Sequence, residues 1–265
     1  MAETTLARSP VAGGRTERRG ASTLRIRAGT LVAILAAWEL LARSGLLYED
    51  VVPPLAKVAA ALLNLALDAD TYRHLGVTAW EVGAGFGIGF AAGVAFGVPA
   101  GAQRFFGDAV QPYVDGFATA PKIIFLPIAM LFFGTGIASK MALGALSAFF
   151  PVAINTAAGV RQIDPVFVRV GRSFRLTPLQ MMFRIYLPAM RRSLVTSLRL
   201  GFGLAVIGCL LGEIKLSNAG LGHLAIEHYN NFRVPDLYAV LILVFVLAVG
   251  ANALMARLMP RGTAE

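Results

Sequence analysis

Three stretches, Val82 to Gln103, Met141 to Val160 and Leu237 to Ala256, run for about 20 residues without a charged side chain. That is the length a helix needs to cross the hydrocarbon core of a bilayer, roughly 20 residues. Three further stretches are apolar but interrupted. Ala28 to about Gly45 contains Glu39, about Val110 to Phe133 contains Asp115 and Lys122, and about Ser193 to Gly212 contains Arg199. The pattern predicts an all-α membrane protein with six transmembrane helices, spanning residues 28–258.

Within these spans, two local patterns stand out. In the second, Gly85, Gly89, Gly93, Gly97 and Gly101 recur every four residues. This spacing puts them on one slowly drifting helix ridge, where the missing side chains let another backbone approach closely, as in helix association in lipid. The reading is tight packing within one bundle. The GFGIG within this run is not a nucleotide loop, because no strand precedes it. The third span carries Pro112, Pro121 and Pro127. Proline removes a backbone donor and kinks a helix. Carbonyls freed at membrane depth need protein or water around them, which puts such a helix inside the bundle near a pathway.

Composition agrees with the pattern: 57% of the 265 residues are hydrophobic and 15% charged, against about 25% charged in soluble domains. The placement of the net +9 charge says more than its size. With the N-terminus inside, the inner segments hold Arg8, Arg15, Arg18, Arg19, Arg25, Arg27, Arg104, seven arginines between positions 161 and 192, Arg257 and Arg261. The outer segments hold only Arg43, Lys57, Arg73, Lys140, Lys215 and Arg233, nearly balanced by acids. An even number of spans keeps this asymmetry, with both termini cytoplasmic. Basic residues set between apolar spans point to an anionic inner leaflet and away from nucleic acid. Residues 1–27 read as a disordered, basic cytosolic tail. The single Cys209 allows no intrachain disulfide, and Glu213 reads as a solvated outer end of the fifth span.

The basic segment 161–192, between the fourth and fifth spans, is expected to be a folded cytoplasmic loop. Asp164-Pro165 and Thr177-Pro178 each supply an N-cap followed by proline at the first helical position. Two short helices follow, about 165 to 174 and 178 to 186, with a turn at Leu176-Thr177. Such a knuckle suits a groove on a soluble partner. Spacing alone leaves the alternative of an amphipathic segment resting on headgroups.

The end of this loop, Ile185-Tyr186-Leu187-Pro188, resembles the cytoplasmic EAA loop of bacterial ABC importer membrane subunits. That pattern reads Glu-Ala-Ala, three residues, Gly, nine residues, Ile-x-Leu-Pro. Here Arg169, Val170 and Gly171 stand in place of Glu-Ala-Ala, and Arg175 in place of the glycine. WELLARSGLL from Trp38, APKIIFLPIAMLFFGTGIASK from Ala120, FFPVAINTAAGVRQIDP from Phe149 and SNAGLGHLA from Ser217 resemble the nitrate/sulfonate/taurine-type permeases. The resemblance implies a type I ABC importer permease in the bacterial inner membrane: a homodimeric pore for a small, anionic solute. Its implied partners are two cytosolic ATPase subunits, which carry the ATP and Mg, a periplasmic substrate-binding protein, and membrane lipid. It makes Asp164, Pro165, Arg169, Gly171, Arg175, Thr177, Pro178, Ile185, Leu187 and Pro188 the candidate ATPase-coupling residues.

Pro121, Lys122, Phe125 and Asn155 are the candidate pathway residues. A lysine near mid-span is costly and often functional. It could face the pore, pair with Asp115 or snorkel. Asn155 could hydrogen-bond between helices. No G-x-x-x-x-G-K-[ST] loop is present, so ATP hydrolysis is not expected of this chain, and no H-E-x-x-H or G-x-S-x-G occurs. His223, Glu227 and His228 fit no zinc motif, fall in an expected outer loop, and give no metal site. An ion-coupled secondary transporter would call for paired intramembrane acids, and the span interiors read as lacking them. A non-transporting scaffold is the other alternative.

Overall fold

The computed structural model describes residues 15–46 and 51–258, and among these every regular element is helical. In order they are α1 (Arg15–Arg43), α2 (Leu55–Leu67), α3 (Ala69–Ala102), α4 (Arg104–Thr119), α5 (Leu126–Phe133), α6 (Ile137–Arg161), α7 (Pro165–Ser173), α8 (Pro178–Met181), α9 (Leu187–Ala189), α10 (Arg191–Leu216), α11 (Leu221–Asn230) and α12 (Val234–Leu258). The chain divides into two compact units after Ala59. In the first, the Glu39 carboxylate accepts from Arg43 Nε at 2.6 Å and from the Leu55 amide at 3.0 Å. The Trp38 indole donates to Pro53 O at 3.0 Å. Glu39 therefore ties the end of α1 to the start of α2. Helix α1 begins at Arg15, well before the expected start at Ala28, because each residue added to an existing helix brings its own hydrogen bond. Residues 1–14 of the expected tail lie outside the described residues.

Four described helices are long and apolar enough to cross a membrane: α3, α6, α10 and most of α12. The pair α4 and α5 makes a fifth if taken as one span. Helix α1, whose apolar part is bounded by Arg27 and Arg43 and interrupted by Glu39, is not among them, so the expected count of six is met for five. The third expected span is not one kinked helix but two segments bent by 97°. The break falls at Pro121, which drives the residue before it out of helical conformation, and Ala120 is extended at φ −63°, ψ 137°. A single turn, Lys122–Phe125, leads into α5, where Pro127 sits in the first turn and removes only a donor that had no partner. Pro112, by contrast, lies inside an unbroken α4.

Helices α3, α6 and α10 form the centre. The five ridge glycines of α3 lie directly on α6. A Cβ built on Gly85 would sit 2.8 Å from Met141 O, on Gly97 2.6 Å from Ala153 O, and on Gly101 2.6 Å from Ala157 O. Helix α10 uses the same device against α6: a Cβ on Gly208 would meet Ser147 Oγ at 2.5 Å and one on Gly159 would meet Ser193 at 2.6 Å. Two apolar clusters fill the remainder. One joins Ala61, Leu65, Leu221 and Val240, and the other joins Val94, Val98, Val152, Val160 and Met190.

The ridge has a matched internal control. Gly87, two residues from the ridge, has nothing within 4 Å of a built Cβ. Gly97→Ala is expected to cost about 1–3 kcal/mol through overpacking. Gly87→Ala is expected to be neutral or stabilising by about 0.5–1 kcal/mol, alanine being the better helix former. Thermal unfolding of the two purified variants in detergent checks this, and equal melting of both would remove the ridge as the packing seam.

Candidate functional site

The segment between α6 and α10 is a folded knuckle. Asp164 Oδ1 accepts from the Val166 amide at 2.8 Å and caps α7. Thr177 caps α8 through a capping box: its hydroxyl accepts from the Gln180 amide, and Gln180 Oε1 accepts from the Thr177 amide at 3.0 Å. Gly171 lies against the next helix, where a Cβ would sit 2.5 Å from Met181 Sδ and 3.3 Å from Ile185 Cγ1. The chain then passes through a wide turn, Met182–Tyr186, into α9. Tyr186 and Leu187 pack on the second apolar cluster of the bundle, while Pro188 is exposed. Val166, Phe167, Val170, Phe174, Leu179 and Phe183 are all exposed on the knuckle.

The turn between α7 and α8 falls earlier than expected, at Phe174-Arg175. Arg175 takes φ +53°, in the left-handed region. This is the position at which the EAA pattern has glycine, the residue that adopts that conformation without steric cost.

At the break in the α4–α5 pair, the Lys122 ammonium donates to three carbonyls: Phe117 O at 2.9 Å, Ala118 O at 2.8 Å and Ala120 O at 2.7 Å. It also lies 5.3 Å from the centre of the Phe150 ring. An ammonium has three donors and all are used. Lys122 thus satisfies the open C-terminal end of α4, where a cation is favoured by the helix dipole. It makes no ion pair with Asp115. Asp115 lines a separate cleft with Gln111 and Arg161. Phe125 is 6.3 Å from Phe117, ring to ring, so Pro121, Lys122 and Phe125 do gather at the break. Asn155 lies elsewhere, on α6, where its backbone carbonyl accepts from Ser193 Oγ of α10 at 2.6 Å.

The structure also assembles a buried polar site that sequence reading missed. Glu81, Lys140 and Glu213 come together from α3, α6 and α10, with Glu81 and Glu213 fully buried and Lys140 4% exposed. Lys140 Nζ donates to Ser217 Oγ at 2.8 Å and lies 3.7 Å from Glu81 Oε1. The Glu213 carboxylate accepts from Thr78 Oγ1 at 2.7 Å and from the Gly222 amide at 2.6 Å. Thr78 Oγ1 accepts from the Leu221 amide, and His74 Nδ1 from the Gly220 amide. Together these bonds clamp the Ser217–Gly222 turn. Gly220, at φ +107°, leaves room for the carboxylate there.

One expectation is corrected here: Glu213 is not a solvated helix end, and it is buried together with Lys140, because the Ser217–Gly222 turn folds back over them. The bundle does contain a carboxylate pair, with Lys140 as its counter-ion. Glu81 was legible in principle, since it extends the glycine ridge by one four-residue step before Gly85. His223, Glu227 and His228 lie on helix α11, not in a loop, and His223 Nε2 is 3.6 Å from Glu227 Oε2.

Comparison with known proteins agrees with this architecture. The family model described as "Binding-protein-dependent transport system inner membrane component" matches residues 87–262. The putative aliphatic sulfonates transport permease protein SsuC of Escherichia coli is 30% identical over 230 residues, 87% of each chain. The taurine transport system permease protein TauC of E. coli is 28% identical over 242 residues, 88% of each chain. The nitrate import permease protein NrtB of Synechocystis is 27% identical over 231 residues, 84% of each. Among solved structures, inward-facing conformations of the MetNI methionine ABC transporter superpose with a TM-score of 0.56 at 20% identity, covering 68% of this chain and 91% of that one. This likeness is one of fold.

Two outcomes are expected from these local geometries. Lys122→Met leaves three carbonyls at the break unpaired. It should lower the melting temperature by several degrees (about 1.5–3 kcal/mol for hydrogen bonds to a charged group) together with transport. A loss of transport with unchanged melting would instead make Lys122 a direct ligand of the solute. Arg175→Gly removes about 1 kcal/mol of backbone strain, so amide exchange in residues 165–181 should slow about fivefold. Unchanged exchange would show that the turn is unstrained.

Proposed function

Since this chain belongs to the family of binding-protein-dependent transport system inner membrane components, we propose how its parts serve an ATP-driven importer. The chain is the permease subunit. Its solute is a small oxyanion of the sulfonate, taurine or nitrate kind, as the names of its relatives suggest. The energy source is ATP with Mg, bound and hydrolysed by two copies of a separate cytosolic ATPase. A periplasmic binding protein delivers the solute, and a second copy of this chain completes the pathway. Both termini face the cytoplasm, and α1 supplies the sixth span in the inner membrane.

The observation that carries this reading is the capped knuckle from Asp164 to Pro188, with its exposed apolar face. A loop that only connected two spans would not need two helix caps, a buried Met181 and an anchored Tyr186-Leu187. Its exposed phenylalanines suit a groove on the ATPase. Closure of the ATPase pair then moves α7 and α8 as one body. Leu187 passes the movement to α10 and α3, and the bundle changes between inward-open and outward-open states. Each ligand shifts that balance only by its differential affinity for the two states. Arg169, where the family pattern has glutamate, faces away from the apolar docking surface and takes no part in that contact.

Selectivity rests with the binding protein. The one lysine at the break has its protons taken by backbone carbonyls, so it offers the anion no free donor. The buried Glu81–Lys140–Glu213 cluster does not revive an ion-driven carrier, since Lys140 is already the counter-ion of Glu81, at 3.7 Å, and Glu213 is held by Thr78 and the Gly222 amide.

The test is co-expression of the chain with its ATPase and binding protein in a host lacking its own sulfonate importers, followed by uptake of labelled taurine, an alkanesulfonate and nitrate. ATP-dependent uptake of one of these is the expected result; uptake that persists without the ATPase would overturn the reading. Phe174→Asp places a charge on the most exposed ring of the knuckle, 77% exposed. It should cut ATPase co-purification and uptake at least tenfold, the loss of about 1.4 kcal/mol or more at a buried hot spot, while membrane insertion is unchanged. Full coupling in this variant would remove the knuckle as the docking element.

A further inference from the structure

The two faces of α7 are chemically different. Val166, Val170 and Phe174, four residues apart, lie exposed on one side. Pro165, Val168, Arg169 and Arg172, spaced three and four apart, share the other side, which turns towards the bundle. There they line an open cleft of about 660 Å³ between the knuckle and the ends of α3 and α6. The cleft gathers four arginines, Arg104, Arg161, Arg169 and Arg172, against one acid, Asp108. None of the ion pairs found among the described residues uses any of these arginines. Arg161 Nη1 donates to Gln111, a neutral partner, at 3.1 Å. All four are exposed, so solvent screens part of their mutual repulsion, and an anion seated among them relieves the rest.

A second cleft, of about 480 Å³, continues from the first and shares Ala102, Arg172 and Tyr186 with it. Its lining is mostly apolar, including Val98, Leu176, Leu179 and Met182. A charged chamber opening into an apolar one, at the end of two spanning helices, has the shape of an anionic head joined to a hydrocarbon chain. Each chamber lies in the size range of small-molecule sites, about 300–1,000 Å³. Basic pockets between spanning helices on the cytoplasmic side are where anionic headgroups are held. A soluble anion would have no use for the apolar chamber, and an acidic stretch of the ATPase would meet the knuckle on its outward, apolar face.

We propose that the clefts between α7–α8 and the α3–α4 junction bind one anionic phospholipid. Its phosphate sits among Arg104, Arg161, Arg169 and Arg172, and an acyl chain lies along Val98, Leu179 and Met182. The lipid bridges the knuckle to the bundle from the side opposite the ATPase. Arg169 gains a purpose there that glutamate, the family residue at that position, could not serve. The proposal rests on the importer reading only for which leaflet the knuckle faces.

The test uses the chain assembled with its ATPase subunits, in nanodiscs of phosphatidylcholine, titrated with a fluorescent phosphatidylglycerol. Saturable binding is expected for phosphatidylglycerol and not for fluorescent phosphatidylcholine. Arg104→Gln with Arg172→Gln should weaken it about tenfold or more, each charge near an anionic headgroup counting for about 1 kcal/mol. The Arg104→Lys, Arg172→Lys pair keeps the charge and should bind within a few-fold of the native chain. Should the glutamine pair fail to purify, Arg172→Gln alone carries the comparison. Equal affinity for both lipids, or unchanged binding in the glutamine variants, would overturn the proposal. So would displacement of the probe by inorganic phosphate alone, which would assign the chamber to a soluble anion. Loss of the ATPase from the glutamine variants with lipid binding intact would assign the arginines to the ATPase. Because the titration needs no transport, failure of the importer reading would show in the uptake assay and leave this result standing.

Discussion

The structure depends on the backbone-to-backbone approach of α3 and α6. Five glycines on one ridge of α3 bring carbonyls and Cβ atoms of α6 to distances that any side chain would forbid. In lipid, where hydrophobic burial does not drive helices together, such close contact is a principal source of association. Helix α10 repeats the device on α6 through Gly159 and Gly208. The three central helices therefore pack as one block, and what is mounted on the block inherits its position.

Two different sites are mounted at opposite ends of α3. Glu81 and Gly101 lie on the same ridge, twenty residues apart, which is about 30 Å along the helix. At the Glu81 end, the close approach that serves packing also brings Lys140 and Glu213 out of solvent. Buried charges are tolerable only when paired and hydrogen-bonded; Thr78 and the Gly222 amide bond Glu213 and Ser217 bonds Lys140, while the Glu81 carboxylate has no hydrogen-bond partner and only the Lys140 ammonium beside it, at 3.7 Å. The cluster fixes the turn between α10 and α11, so the polar groups act as a fastening for that end. At the Gly101 end, the ridge stops where the knuckle begins, and Tyr186 and Leu187 join the loop to the same core. The knuckle is thereby packed directly on the central helices.

Between these ends, the α4–α5 break shows how a membrane protein accommodates an interrupted helix. Pro121 forces Ala120 out of helical geometry, and the carbonyls left open at the end of α4 need donors. Lys122 supplies all three of its protons. A residue that looks from its depth like a solute ligand here takes part in the backbone's own hydrogen bonding.

The sequence by itself determined the class and much of the fold. Charge-free runs of membrane length fix where α3, α6 and α12 lie, because an unpaired charge in hydrocarbon is costly and a helix satisfies its own backbone. Asp164-Pro165 and Thr177-Pro178 fixed the starts of α7 and α8, because capping is a local interaction between neighbours in the chain. The four-residue glycine spacing marked the packing face for the same reason: helical periodicity is local. Only the tertiary structure decided which groups meet across helices. Glu81, Lys140 and Glu213 are far apart in the chain, and each reads alone as a polar residue near a helix end. Their burial follows from how the Ser217–Gly222 turn folds over them. Lys122 likewise could be placed at mid-span from sequence, but its partners appear only once Pro121 has broken the helix. Which face of α7 the arginines occupy is set by helical period, whereas the cleft they line exists only because Ala102, Val160 and Tyr186 converge from three separate segments. Local rules are written in neighbouring residues, and long-range contacts are set by the single way the rigid helices pack.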